Sequence, residues 1–223
     1  MIIDDAYAGM KDKYFEKAQT KTGVLSGVVK GLNDFVKKYD SAKQTMNSNM
    51  QELKQTYVYN SVPFELKHME IFNTFNETVA QIREESKTQI QDVIQKVRDK
   101  VSEIITSPLP EGGMDDINMI RSFAGKLSDD EIKAFLNKYK NCYLATKTIF
   151  EAMEEGQDDR LGVEFVTVKN ITDSIDSIEE MAMNMIRTYN GDMPYDVAVM
   201  LDGSEVQTVN DAFESFVKGL LLL

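Results

Sequence analysis

The chain has 223 residues, 42% hydrophobic and 28% charged, with 12 Gly and 4 Pro. That composition excludes the disordered, collagenous and transmembrane classes, and its few turn residues favour long helices over a β-sandwich. The net charge of −12 lies wholly in one half: residues 1–110 carry 15 basic against 15 acidic side chains, and residues 111–223 carry 10 against 22.

A field of that sign repels phosphate backbones, so no direct nucleic-acid binding is expected. It suits either an acidic face for a basic partner or a soluble surface that resists aggregation. One cysteine, Cys142, and one histidine, His68, exclude an internal disulfide, a thiolate zinc site and any chemistry that needs two histidines. Met1-Ile2-Ile3-Asp4-Asp5 places acids where a signal peptide wants lysines. The longest apolar run, Gly219–Leu223, falls far short of the roughly 20 residues that span a bilayer. The expected compartment is the cytoplasm or an assembled virion, with no membrane span.

Ala6, Met10, Tyr14 and Ala18 stand four apart and predict a short helix, which Thr22-Gly23 separates from the next. From Val24 the apolar residues Leu25, Val28, Leu32, Phe35, Tyr39, Ala42, Met46, Met50, Leu53 and Tyr57 recur at steps of three and four, one face of a helix. Gly27 and Gly31 weaken its start by about 1 kcal/mol each relative to Ala. Asn60-Ser61-Val62-Pro63 ends it, and Pro63 suits the first turn of a second helix. There Phe72, Phe75, Val79, Ile82, Ser86, Ile90, Val93, Val97, Val101 and Ile104 form the stripe. Their mean step lies between the 3.5 of a coiled coil and the 3.6 of a straight helix. Forty such residues make a rod of roughly 60 Å. Two rods joined by so short a turn predict a long antiparallel hairpin, with residues 1–107 as one domain.

Ser107-Pro108-Leu109-Pro110-Glu111-Gly112-Gly113 reads as a linker to a smaller acidic helical domain, 114–223. Met114–Ala124 is a short helix closed by Gly125. Ser128-Asp129-Asp130-Glu131 is a capping box that opens a helix running through Tyr139 and Tyr143 to Met153. Residues 154–162 form an acidic loop, and Thr172–Tyr189 a further helix closed by Asn190-Gly191. Asp202-Gly203 between Tyr195–Leu201 and Ser204–Val209 predicts a short β-hairpin over 195–209; the alternative is a two-turn helix stopped at Asp202-Gly203. Val163–Val168 offers a third strand. A last helix passes through Phe213, Phe216 and Val217 to the end. The fold class is mainly α.

Each candidate for chemistry has a plainer explanation. Glu65-Leu66-Lys67-His68 has the Glu-x-x-His spacing of di-iron bundles, but such a site needs two of these motifs, so His68 reads as a half-buried packing residue. Cys142 reads as a small core residue in mid-helix, without the base a nucleophile requires. Asp115-Asp116, Asp129-Asp130, Asp158-Asp159 and Glu179-Glu180 are neighbours that do not share a helix face, and they read as caps or solvated charge. Residues 154–159 lack the ligand spacing of a calcium loop, and no glycine-rich phosphate loop is present. The chain therefore reads as non-enzymatic, with no cofactor and no metal. Thirteen methionines are core filler or adaptable contact surface. Leu220, Leu221, Leu222 and Leu223, with Phe216, are the interface candidates: the tail either docks in its own core or is held by another subunit.

The segment Leu127-Ser128-Asp129-Asp130-Glu131-Ile132 through Tyr139, Asn141, Tyr143 and Phe150 to Met153 resembles a helix of small structural-module proteins of phages of low-GC Gram-positive bacteria. The resemblance covers about 27 residues and carries no functional residue across. It implies a virion or morphogenesis role performed by association. The expected function is thus a helical structural or assembly protein, a phage virion component or morphogenesis factor, acting on itself as an oligomer or on a protein partner. The alternatives are a secreted helical-hairpin module, whose usual Trp-x-Gly turn is missing at Asn60–Pro63, and an acidic inhibitor that mimics DNA.

Overall fold

A computed structural model describes residues 23–191, 204–218 and 221–222. The fold is mainly α, with eight helices among the described residues. The predicted helix over Ala6–Ala18 and the Tyr195–Leu201 segment lie outside them. By their contacts, the described residues of Met1–Ile94 and Ile178–Val206 form one compact unit, and those of Gln95–Ser177 and Gln207–Leu223 another. The grouping is thus interleaved in sequence, where the linker at 108–113 suggests a linear division.

In the first unit, helix α1 (Ser26–Thr56) and the part of helix α2 (Val62–Ile105) up to Ile94 form the predicted pair, joined at Tyr57–Ser61. Asn60 takes a left-handed φ of 60° in that turn. The Glu65 amide donates to the Ser61 carbonyl at 3.0 Å and the Phe64 amide reaches the Ser61 hydroxyl at 3.4 Å, so Ser61 starts α2. Pro63 sits in the first turn, where a missing N–H costs nothing.

Gly27 and Gly31 have a positive use. A Cβ on Gly27 would meet Val93 Cγ2 at 3.0 Å, and one on Gly31 would meet Ile90 Cγ1 at 3.1 Å. The absent side chains let the two backbones approach, and Leu25, Val28, Leu32, Phe35, Ile90 and Ile94 are fully buried around them. The C-terminal part of a later helix, α7 (Val168–Thr188), and the residues after it complete this core. Tyr189 packs edge-on against Phe35 and Tyr39, with ring centroids 5.8 and 5.1 Å away. Its hydroxyl donates to Asp40 at 2.9 Å, Arg83 donates to its carbonyl at 3.1 Å, and Lys43 donates to the Asn190 carbonyl at 2.9 Å.

The second unit contains α3 (Gly113–Ser122), α4 (Asp129–Lys138), α5 (Tyr143–Ala152) and α6 (Gln157–Leu161). Its core joins Ile117, Ile120, Ile132, Leu136, Tyr139 and Ile149. The Ser128 capping box is formed in full. The single helix expected from Ser128 to Met153 is instead two. Asn141 adopts φ 73°, the Cys142 amide turns back to the Tyr139 carbonyl at 2.9 Å, and α5 starts afresh. Cys142 is consequently the residue before a helix, not mid-helix, and it is buried. The break lets the buried Tyr139 donate its hydroxyl to Asp116 at 2.5 Å, beside an ion pair from Lys138 to the same carboxylate.

The expected acidic loop contains the one-turn α6. Gln157, buried, donates to the Leu127 carbonyl and to Asp129, and Arg160 bridges Asp129 and Glu154. The proposed strand Ser204–Val209 belongs instead to helix α8 (Ser204–Lys218). Val206, Asn210, Phe213 and Phe216 are buried at steps of four and three, a helical face that overrides the Asp-Gly hairpin signal. Of Val163–Val168 only Val163–Glu164 is a strand, β1, and Val168 already begins α7. The partner of β1 is β2, Leu221–Leu222, antiparallel, with Val163 opposite Leu222.

Two outcomes follow. Gly27→Ala with Gly31→Ala gains about 1 kcal/mol per site in helix propensity but crowds Val93 and Ile90. Since overpacking costs about 1–3 kcal/mol per site, denaturant titration should find the double variant less stable; a stabilised variant would contradict the close approach. Hydrogen bonds from Lys138 and then Tyr139 hold Asp116 below the usual carboxylate range, the Ser128 backbone amide does so for Glu131, and Gln157 for Asp129. A depressed carboxylate stabilises the fold above its unfolded value and loses that contribution as pH falls through the folded one. Melting temperature should therefore be level around neutrality and fall below about pH 4, with a shallower fall in Asp116→Asn.

Candidate contact surface at the hairpin tip

From Asp40 to Glu52 no residue of α1 is buried, whereas eight of the twelve residues Leu25–Val36 are. The tip is held by Leu53 and Phe64. Phe64 packs edge-on to Tyr59 at 5.3 Å, and His68 lies between Phe64 and Phe72 with centroids 6.1 and 5.5 Å away. His68 is thus the packing residue its sequence context predicts.

Helix α2 has apolar residues on two opposite sides here. At about 100° per residue, Phe64, Ile71 and Phe75 share one side with the buried Val79 and Ile82 further along. Val62, Leu66 and Met69 fall within about 60° of one another on the far side. They are 73%, 64% and 59% exposed. Val58 and Tyr59 in the turn and Phe72 beside the stripe are exposed too. Val62, Leu66 and Met69 form the outward stripe, while Tyr59 packs on Phe64 of the seam side and Phe72 lies about 60° from Met69. The sequence stripe drawn from Phe72 onward missed Val62, Leu66 and Met69, although they stand at i, i+4 and i+7.

A groove of about 660 Å³ lies between α1 and α2. Ala42, Met46, Ile71, Phe75 and Ile82 line it, with Lys37, Lys38 and Lys67 among its polar residues. Lys38 pairs with Glu85 at 3.3 Å and Lys67 with Glu70 at 2.5 Å. On the α1 wheel, Lys38, Ser41 and Thr45 lie opposite Asp40 and Lys43, the residues that hold Tyr189 and Asn190.

Among the described residues no helix is long and apolar enough to cross a membrane, and no group of three or more His, Cys, Asp or Glu is placed to hold a metal. Three of the four acidic pairs singled out from the sequence, Asp115-Asp116, Asp129-Asp130 and Asp158-Asp159, lie in first helical turns. Of the interface candidates, Phe216 is fully buried 5.3 Å from the Tyr143 ring. Leu221 and Leu222 pair through their backbones with Val163–Glu164 of the same chain. Leu220 and Leu223 lie outside the described residues. Comparison with family models, curated proteins and solved structures returned no match.

The two faces of α2 should respond oppositely to mutation. Phe64→Ala empties a buried site and should cost about 3 kcal/mol or more in a denaturation titration. Leu66→Ser and Met69→Ser should change stability by less than about 0.5 kcal/mol. A large loss at Leu66 or Met69 would mean that the chain covers this face itself.

Proposed function

We propose that this chain is an assembly protein that works by protein–protein contact rather than catalysis, with the hairpin tip as its contact surface. The observation that carries the reading is the exposed stripe Val62–Leu66–Met69 with Val58, Tyr59 and Phe72. Large apolar side chains left open along one helix face are the usual mark of a surface that a partner covers. The length of the hairpin supports the reading, since it holds an apolar end on a stem whose base is packed around Phe35, Tyr39 and Tyr189. A virion or morphogenesis setting is the context suggested by the resemblance over Leu127–Met153, and the tip surface does not depend on it.

The chain extracted gently from its source should therefore migrate well above its monomer mass of 25.3 kDa. Leu66→Glu should return it toward that mass while leaving its circular dichroism unchanged. Migration as a free monomer at native abundance would reject the proposal.

A further inference from the structure

We infer that the groove between α1 and α2 binds a single-chain anionic amphiphile, a free fatty carboxylate, with its head at Lys37 and Lys38 and its tail running toward the tip. The inference goes beyond the tip reading. The apolar lining on α2, Ile71, Phe75 and Ile82, lies on the side of that helix opposite Val62, Leu66 and Met69.

The floor of the groove is the first support. At the base of the hairpin the seam is sealed, with Leu32, Phe35 and Ile90 fully buried. Between the levels of Lys38 and Asn49 the same seam stays open, and Ala42, Met46, Ile71 and Phe75 are only half-buried. Short side chains flank this stretch, Ser41 and Thr45 from α1 and Thr74 and Thr78 from α2.

Size and shape are the second support. A volume of about 660 Å³ lies well within the range of small-ligand sites, which occur between packed helices. Lys37–Asn49 on α1 and Lys67–Ile82 on α2 span about 18 and 22 Å. The groove is therefore long and narrow, on the order of 35 Å² in mean cross-section. A helix with its side chains is roughly 10–12 Å across and needs more than twice that. An extended hydrocarbon chain, one methylene wide, needs less.

Charge is the third. Lys37, Lys38 and Lys67 against Glu70 give the lining a positive excess in a chain of net −12. At the tip end Lys67 is paired with Glu70 at 2.5 Å. At the other end Lys37 and Lys38 are both exposed, and Lys38 directs one of its three donors to Glu85 at 3.3 Å. A carboxylate there accepts charge-assisted hydrogen bonds, while its tail takes the half-open Ala42, Met46, Phe75 and Ile71 out of water.

Equilibrium dialysis of the purified full chain against labelled dodecanoate, well below its micelle-forming range, tests this directly. The expected result is saturable binding of one molecule per chain, with a dissociation constant on the order of micromolar. Ala42→Phe and Thr78→Phe fill the groove from opposite walls. Each should weaken binding at least about tenfold with circular dichroism unchanged. Lys37→Gln with Lys38→Gln should weaken it about threefold or more while leaving dodecanol, the same tail without charge, unaffected. Leu66→Glu should not alter it. Absence of saturable uptake overturns the inference. So does uptake indifferent to both groove-filling variants, or dodecyltrimethylammonium bound as tightly as dodecanoate, which would mean unselective adsorption of any tail. A chain that sediments with phosphatidylglycerol vesicles yet takes up no free dodecanoate has a bilayer surface as its ligand and overturns it too. The tip reading is tested by migration of Leu66→Glu and this site by dialysis, so either can fail alone.

Discussion

The fold depends on how closely α1 and α2 can approach at their base. Without side chains on Gly27 and Gly31, the α1 backbone settles against Val93 and Ile90. Each glycine costs about 1 kcal/mol in helix propensity, which is offset by the burial of Leu25, Val28, Leu32, Phe35, Ile90 and Ile94 around the contact. Fully burying one such side chain contributes on the order of 1.5–3 kcal/mol. Tyr189 then fixes the aromatic layer above the glycines through Phe35, Tyr39 and Asp40. The base of the hairpin is its most deeply buried part.

The same arrangement explains why the tip differs. Two helices cover each other along one seam, and a third element is needed to bury anything else. In the first unit that element is Ile178–Tyr189, whose last residues grip α1 and α2 at Asp40, Lys43 and Arg83. Closer to the turn, Leu53 and Phe64 close the seam, and the second apolar stripe of α2 faces outward. An apolar face opposite the seam adds nothing to hairpin stability. Its chemistry makes sense as contact surface, which is why the proposed function is placed there.

Much of this was legible in the sequence, for local reasons. The three-and-four spacing from Leu25 to Tyr57, the stop at Asn60–Pro63 and the Ser128–Glu131 capping box each report a structure that nearby residues determine. The errors arose where distant contacts decide. Nothing between Lys138 and Tyr143 signals a break as Gly or Pro would; Asn141 turns left-handed while Tyr139 is drawn to Asp116. Asp202-Gly203 is a sound hairpin signal, yet the burial of Val206, Asn210, Phe213 and Phe216 makes Ser204–Lys218 a helix. For the interface candidates the described residues show contacts within the chain. Four terminal leucines are conspicuous in a sequence, but Phe216 is enclosed by its own chain and Leu221–Leu222 pair with β1. The stripe at Val62, Leu66 and Met69 was present in the spacing at i, i+4 and i+7, but the longer run from Phe72 onward masked it.

The central claim is that this second stripe is left uncovered by its own chain and covered in the assembly. Peroxide oxidation of methionine, followed residue by residue by mass spectrometry, tests it directly, because the thioether reacts in proportion to its exposure. In dilute protein Met69 should react as fast as the exposed Met114 and far faster than the buried Met185. Under associating conditions Met69 should become protected while Met114 stays reactive. If Met69 is as slow as Met185 in dilute protein, or stays fully reactive in the associated state, the surface lies elsewhere and the account is contradicted.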